Sequence, residues 1–317
     1  MRIRFSREVM ADANSWRTLD RMVMHIEDRR HEWLADNPDE IEASPWMGDS
    51  GRSGQANRKA YQEHVRWAAY PKKRIELTVA LNTASVQLLS PPDALRSMET
   101  PVFVAVENAT GDGGFLVTTI LALNRTELWE ALERGWVAID QMGGYGECEK
   151  TIIRLRENVA GPVRVFVLAD SDSRFPGELT QTVTKVKESC VKTGAHYAIL
   201  KKRKIENYLP DAVLENVNKT AYRALKKLTW DQRDHYEMKY GFQRDNNNNV
   251  LVSVEQTPLF AGVDYHTLRG LIGGFGKDIS TLFVAHRHSI QEVHIRQVCA
   301  SDPTELDRVL NEIEKLL

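Results

Sequence analysis

Four short apolar runs, each rich in β-branched or aromatic residues, constrain the fold of the middle of this chain more than any other feature. They cover residues 102–106, 136–140, 163–169 and 196–200. Helix-like segments lie between them, beginning near Phe115, Glu147 and Glu178. Strands that alternate with helices favour right-handed βαβ units. The pattern therefore predicts an α/β fold with a mainly parallel sheet and flanking helices.

Acidic residues follow two of these predicted strands. Glu107 follows the first strand, and Asp170 and Asp172 follow the third. Ligands bind beyond the carboxyl ends of parallel strands, and side chains two apart on an extended segment share a face. Asp170 and Asp172 are therefore expected to converge on one hard cation. The alternative is a structural role, in which Asp172 or Ser173 caps the helix expected after Gly177.

The chain of 317 residues, 42% of them apolar, is long enough for one large domain or two ordinary ones. Residues 1–98 are predicted to be a mainly helical region, with helices at 15–35 and 57–69 and a basic loop at 52–59; the apolar residues 74–89 are ambiguous between helix and strand. Residues 99–215 are expected to form the catalytic core. Residues 216–317 are expected to be a mainly helical region packed on that core, ending in a helix over 303–317.

The overall charge and the cysteines limit the class of protein. A net charge of −2 gives no global basic field, so any nucleic-acid contact must come from local lysines and arginines. The cysteines Cys148, Cys190 and Cys299 are widely spaced and suggest neither disulfides nor a thiolate zinc site. No signal peptide or membrane span is evident, which predicts a cytoplasmic protein without membrane contact.

A further motif follows the fourth predicted strand. Residues 202–209 read Lys-Arg-Lys-Ile-Glu-Asn-Tyr-Leu. Together with Glu107 and the Asp170-x-Asp172 pair, this segment resembles the Toprim domains of OLD-family nucleases and of stand-alone antiphage effectors. The resemblance covers about residues 100–215. The chain departs from the family pattern at Asn108, where Gly is usual, and at Asp112, which stands about one residue later than expected.

The resemblance implies a Mg²⁺- or Mn²⁺-dependent nuclease that cleaves phosphodiester bonds of DNA or RNA. The metal ligands it implies are Glu107, Asp170 and Asp172, with Glu206 completing a second site and Asp112 as a further ligand. Glu107 is alternatively a general acid or base. Lys277 is a candidate for stabilising charge in the transition state. The basic run is expected to bind the nucleic-acid backbone, with a solvated charge run as the alternative; it comprises Lys201, Lys202, Arg203 and Lys204.

The ATPase domain of typical OLD proteins is missing, and residues 273–277 do not satisfy the P-loop pattern. The expectation is therefore the toxic effector of an antiphage system, controlled by a separate ATPase or regulatory protein that docks on residues 1–98. Self-association stays open. Two alternatives also stay open: a catalytically silent Toprim-like module that binds a partner or nucleic acid, and a HAD-type phosphatase. In the latter, the Asp-x-Asp usually closes the first strand of the fold.

Overall fold

The computed structural model describes residues 1–34, 38–49, 52–65, 75–83 and 87–317. The first part of the chain contains β1 (Arg2–Phe5), α1 (Arg7–Ala11), α2 (Trp16–Glu27), β2 (Glu32–Trp33), α3 (Pro38–Glu42), α4 (Pro45–Gly48), α5 (Arg52–Val65), β3 (Glu76–Val79), β4 (Leu88–Leu89) and α6 (Pro91–Glu99). Its four strands form a parallel sheet in the order β2-β1-β3-β4. The helices and this sheet share an apolar core that includes Ile3, Leu19, Trp46 and Leu77.

The prediction of a helical region over residues 1–98 is thus wrong in part. Two of the four strands are only two residues long, too short to show an alternating pattern in the sequence. The segment 52–59, expected to be a basic loop, is the first half of α5. The long helix expected over 15–35 ends at Glu27, before β2. The end of the helix expected over 57–69 lies outside the described residues.

The central part of the chain forms the predicted α/β fold. Its elements are β5 (Val102–Val106), α7 (Gly111–Ala122), α8 (Thr126–Glu133), β6 (Val137–Gln141), α9 (Cys148–Leu155), β7 (Val165–Ala169), α10 (Gln181–Thr193) and β8 (His196–Ile199). All four strands are parallel, in the order β6-β5-β7-β8. Both faces of β7 are buried: Phe166 and Leu168 join one apolar cluster, and Val165 and Val167 join another. Burial on both faces explains why this strand is an unbroken apolar run in the sequence.

The strand order creates a crevice beside the ends of β5 and β7. The chain leaves β5 to form β6 on one side and then crosses back to form β7 on the other. At such a reversal, the connections that follow the two neighbouring strands lead away in opposite directions and leave a crevice between them. Ligands in open α/β sheets bind in this crevice. Glu107 and Asp170, the residues directly after β5 and β7, therefore lie at the edge where a site is expected.

The last part of the chain is mainly helical. It contains α11 (Asp211–Val217), α12 (Lys219–Leu225), α13 (Trp230–His235), β9 (Gln243–Arg244), β10 (Val250–Leu251), α14 (Thr257–Phe260), α15 (Tyr265–Gly270), α16 (Leu282–His286), α17 (Glu292–Val298) and α18 (Glu305–Glu314). The sequence analysis does not predict the short antiparallel hairpin β9–β10 in this mainly helical part. Asn246–Asn249 lie in the turn of this hairpin. Phe283, Leu310 and Ile313 pack in one core with Val104 and Phe166 of the central sheet.

A buried arginine joins the three parts of the chain. Arg164, directly before β7, is 6% exposed. Its guanidinium donates to the carbonyl oxygens of Ser97 and Thr100, beside the end of α6, and to that of Leu316, which follows α18. The helices are short, the longest described one having 14 residues. Among the described residues, none combines the length and the apolar character needed to cross a bilayer.

Candidate active site

Two hydrogen bonds position Asp170 at the end of β7. Its backbone N–H donates to the hydroxyl oxygen of Tyr145 at 3.0 Å, and its Oδ1 accepts from the N–H of Ile205 at 2.9 Å. Tyr145 begins the 3₁₀ helix Tyr145–Glu147 that follows β6, and Ile205 lies in the segment that follows β8. The end of β7 therefore meets the segments that follow β6 and β8. The side chain of Asp170 is buried.

Asp172 reaches the same region by a turn. Its φ is +53°, and its N–H donates to the carbonyl oxygen of Arg203 at 2.8 Å. The extended geometry expected for residues 170–172 is therefore wrong, since Asp172 lies in the left-handed region. The capping alternative is also wrong for Asp172, because Thr180 caps α10 by accepting from the N–H of Val183. Asp172 Oδ2 instead accepts from the hydroxyl of Thr182 at 2.8 Å.

The segment after β5 forms a tight turn into α7. Asn108 Oδ1 accepts from the backbone N–H groups of Thr110 and Gly111, both at 2.9 Å. Asp112 Oδ2 accepts from the N–H of Asn108 at 2.8 Å. Asn108 therefore has a structural role, since its side-chain amide takes part in the turn that starts the helix. The helix begins at Gly111, earlier than the sequence predicts, and places Asp112 in its first turn.

Glu206 lies in the 3₁₀ helix Ile205–Tyr208 and is 1% exposed. The ammonium of Lys239 lies 2.8 Å from Glu206 Oε1. Within the part of the chain that the structure describes, both oxygens of this carboxylate are buried without a hydrogen-bond partner, so the contact with Lys239 is an ion pair. A buried carboxylate oxygen without a partner is unusual, because it has lost its water and gained nothing in return.

The negative charges of five carboxylate side chains repel one another, and we call these side chains the carboxylate cluster: Glu107, Asp112, Asp170, Asp172 and Glu206. Burial raises the pKa of Asp170 well above its usual range, and the charges of Asp112 and Glu206 raise it further. Burial also raises the pKa of Asp112 to about 6, with Glu107 and Glu206 contributing. The pKa of the exposed Glu107 is raised by desolvation and by the charge of Asp172. The cluster therefore favours the binding of protons or cations.

Two lysines lie among these carboxylates. Lys204 Nζ is 3.6 Å from Asp172 Oδ1. Burial alone would lower the pKa of Lys204, but the charges of Asp172 and Glu237 outweigh it and the pKa rises. Burial opposes the charge of Lys239 in the same way, and its close contact with the carboxylate of Glu206 raises its pKa. Both ammonium groups are thus held in the charged form.

The other predicted basic residues point elsewhere. Lys201 is exposed and its Nζ pairs with Asp302 at 2.5 Å. Lys202 is 3% exposed, with its ammonium bound to Asp234 and to the carbonyl oxygen of Val298. The prediction that Lys202 binds nucleic acid is therefore wrong, since its charge is enclosed in the protein.

Arg203 is partly buried and pairs with Glu237 at 3.1 Å. Lys277 is exposed, and none of the described residues forms an ion pair or hydrogen bond with its ammonium. It follows Gly276, whose N–H donates to the carbonyl oxygen of Lys239. Of the basic residues named from the sequence, Lys204 is the one that lies in the carboxylate cluster.

Sequence reasoning missed Lys239 and Tyr145. Tyr145 follows β6 in the glycine-rich loop that contains Gly143 and Gly144, at the same sheet edge as Glu107, and this position could have identified it. No sequence pattern around Lys239 indicates that it lies near the carboxylate cluster. It comes from the C-terminal helical part of the chain and reaches Glu206 only through the tertiary fold.

The motif at residues 205–209 has a structural explanation beyond Glu206. Tyr208 donates its hydroxyl to Glu305 Oε1 at 2.7 Å, although both groups are buried. The amide of Asn207 accepts from the N–H of Lys204 and donates to the carbonyl oxygens of Arg233 and Tyr236. The motif therefore binds the site to the C-terminal helices.

The donor chemistry of the carboxylate cluster fits Mg²⁺ or Mn²⁺, which prefer oxygen ligands. The raised pKa values of Asp170 and Asp112 favour added positive charge. In the described parts of the chain, however, no three Asp, Glu, His or Cys side chains lie close enough together to coordinate one ion as they stand. Coordination would require rotation of these side chains toward a common point.

Comparisons of the chain with protein-family models, with curated proteins and with solved structures gave no match. The assignment of a function therefore rests on the residues of the site and on their chemistry.

Proposed function

We propose that the protein is a metal-dependent nuclease that hydrolyses phosphodiester bonds of DNA or RNA. The observation that carries the proposal is the carboxylate cluster at the reversal point of a parallel sheet, with burial and mutual repulsion raising the pKa values of Asp170, Asp112 and Glu107. Repulsion among buried carboxylates is costly unless a cation relieves it, and functional sites concentrate such groups.

Asp170, Asp172 and Glu107 would hold Mg²⁺ or Mn²⁺, and Asp112 would add a further oxygen. When bound, such an ion neutralises charge on the phosphate and lowers the pKa of an attacking water. Tyr145 and Ile205 keep Asp170 in place through its N–H and its Oδ1.

The surroundings of Glu107 suggest an alternative role for it, and those of Lys204 suggest an additional role in the site. Glu107 is exposed and its pKa is raised, so it is suited to exchange a proton with water or with the leaving oxygen. Lys204, beside Asp172, is positioned to attract the phosphate backbone.

We further propose that this activity belongs to a toxic effector under the control of a separate protein, with residues 1–98 as the docking region. The support is that the N-terminal part has a core of its own and contributes no side chain to the carboxylate cluster. Toxicity on expression without any other component would contradict external control.

A cleavage assay tests the nuclease directly. Purified protein is incubated with plasmid DNA, single-stranded DNA and tRNA, in Mg²⁺, in Mn²⁺ and in EDTA. We expect cleavage of at least one substrate with a divalent ion and none with EDTA. Cleavage that persists in EDTA would contradict metal dependence, and no cleavage of any substrate would remove the support for a nuclease.

The substitutions Asp170→Asn and Asp172→Asn each remove one negative charge and keep the size of the side chain. We expect at least a hundredfold loss of cleavage, because the ion is held less tightly and activates water less. The melting temperature in EDTA should stay unchanged or rise for Asp170→Asn, since burial disfavours the charge that is removed.

Asp140→Asn is the matched control. Asp140 lies in β6 of the same sheet but pairs with Arg154 outside the cluster, so its cleavage rate should match that of the wild type. If Asp170→Asn and Asp172→Asn lower the melting temperature while cleavage is unchanged, both aspartates are structural and the proposed function is wrong.

A further inference from the structure

We propose that the ammonium of Lys239 permanently occupies the place of a second cation beside Glu206, so that the site takes one divalent ion. The inference rests on the proposed function for the identity of that ion. It differs from the expectation that Glu206 completes a second metal site.

The burial of Glu206 is the first argument. A carboxylate that is 1% exposed needs a positive partner, since an unpaired buried charge destabilises a fold strongly. Lys239 supplies that partner at 2.8 Å. A divalent ion bound to the same oxygen, Oε1, at an ordinary ligand distance of about 2 Å would lie within about 5 Å of this ammonium and be repelled by it. The two cations therefore exclude each other.

The position of Lys239 is the second argument. Residues 238–241 form backbone hydrogen bonds with residues 271–276: Phe275 N–H donates to Met238 O at 2.8 Å, and Gly276 N–H donates to Lys239 O at 2.9 Å. The two segments pack so closely that a Cβ on Gly274 would lie 2.8 Å from Lys239 O. The backbone that carries Lys239 is thus fixed, so moving the ammonium away would leave Glu206 buried without a counter-charge.

The distribution of positive charge is the third argument. Lys239 pairs with Glu206 and Lys204 lies beside Asp172. Throughout the described ranges of the chain, Asp170, Asp112 and Glu107 form no ion pair with Lys, Arg or His. The carboxylates without a positive partner are therefore Asp170, Asp112 and Glu107, and together with Asp172 they form the place where a single ion would be held.

Counting bound Mn²⁺ tests the inference. The signal of free Mn²⁺ in electron paramagnetic resonance is titrated against the full-length protein, in the wild type and in Lys239→Met. We expect one ion per chain in the wild type and two in Lys239→Met, because Glu206 then lacks its cation. The double variant Lys239→Met with Glu206→Gln should return to one ion. Lys277→Met, which removes the same charge from a neighbouring exposed position, should bind one ion like the wild type.

Each outcome decides the inference. Two ions in the wild type, or one ion in Lys239→Met, would overturn it and leave the proposed nuclease standing. Binding of no ion by the wild type would overturn both.

If Lys239→Met does not fold, Glu206→Gln in the presence of Lys239 gives the answer instead. The count should remain one if Lys239 occupies the second position. It should fall from two to one if Glu206 is a metal ligand, which would overturn the inference.

Discussion

At the scale of single residues, the carboxylate cluster couples stability to pH. The pKa of Asp112 is raised by burial from 3.8 to about 6 in the folded chain. Between these two values the folded state binds more protons than the unfolded state, so stability falls as pH rises. The contribution of Asp112 is therefore present below pH 3.8 and is lost as pH rises through about 6, at a cost of up to about 3 kcal/mol.

Asp112→Asn should remove this dependence. The variant keeps the oxygen that accepts from the N–H of Asn108, so the turn into α7 is preserved. In EDTA we expect the variant to melt at a higher temperature than the wild type at pH 7.5, and at nearly the same temperature at pH 4. The measurement is thermal melting over this pH range, with Asp140→Asn as the control. A difference from the wild type that is equal at both pH values would show that Asp112 does not titrate in this way.

At the scale of elements, close backbone contact between two glycines decides where Lys239 lies. Gly241 has φ +61° and Gly274 has φ +58°. A Cβ on Gly241 would come within 2.2 Å of Leu271 O and 2.3 Å of Gly274 N. The segments 238–241 and 271–276 therefore approach each other at a distance that only glycine permits.

Gly241→Ala tests this contact against Gly273→Ala. Gly273 also has positive φ, but a Cβ there meets no atom within 4 Å. Gly273→Ala should lose about 1–2 kcal/mol from backbone strain alone. Gly241→Ala should lose clearly more, because the backbone must also move apart. Urea denaturation measures both, and equal losses would mean that the close contact contributes nothing to stability.

At the scale of the whole molecule, Arg164 is one side chain that contacts both the N-terminal and the C-terminal parts from the central sheet. Its guanidinium is fully enclosed, and burial lowers its pKa to about 9. Its acceptors are the carbonyl oxygens of Ser97, Thr100 and Leu316. This position is remote from the carboxylate cluster, because Arg164 precedes β7 and Asp170 follows it.

Arg164→Met should destabilise all three parts together. The carbonyl oxygens of Ser97 and Leu316 lose their guanidinium donor, while that of Thr100 keeps a hydrogen bond from Arg30. Each buried carbonyl left without a donor costs about 1–3 kcal/mol, so we expect a loss of about 2–6 kcal/mol in urea denaturation. Limited proteolysis should cut the N-terminal part faster than in the wild type. Arg156→Met is the control, because Arg156 is partly buried and donates to one carbonyl oxygen, that of Thr193. A loss no larger than that of the control would contradict the joining role of Arg164.

The sequence alone determined the central sheet and its acidic edge. The four apolar runs became β5 to β8, each within three residues of the predicted bounds, because strands buried on both faces are apolar regardless of distant contacts. Glu107, Asp170 and Asp172 could be assigned to one edge because parallel strands with helical connections place their carboxyl ends together.

Only the tertiary structure decided the rest. The sequence left residues 74–89, which contain β3 and β4, ambiguous between helix and strand, and it did not predict a sheet. The strands β2 and β4 are only two residues long and form by pairing with their neighbours. Lys202 and Lys204 look equivalent in the basic run, yet one is enclosed beside Asp234 and the other lies beside Asp172. Lys239 meets Glu206 because the segments 238–241 and 271–276 pack together, and contacts between residues distant in the chain leave no periodic pattern in the sequence.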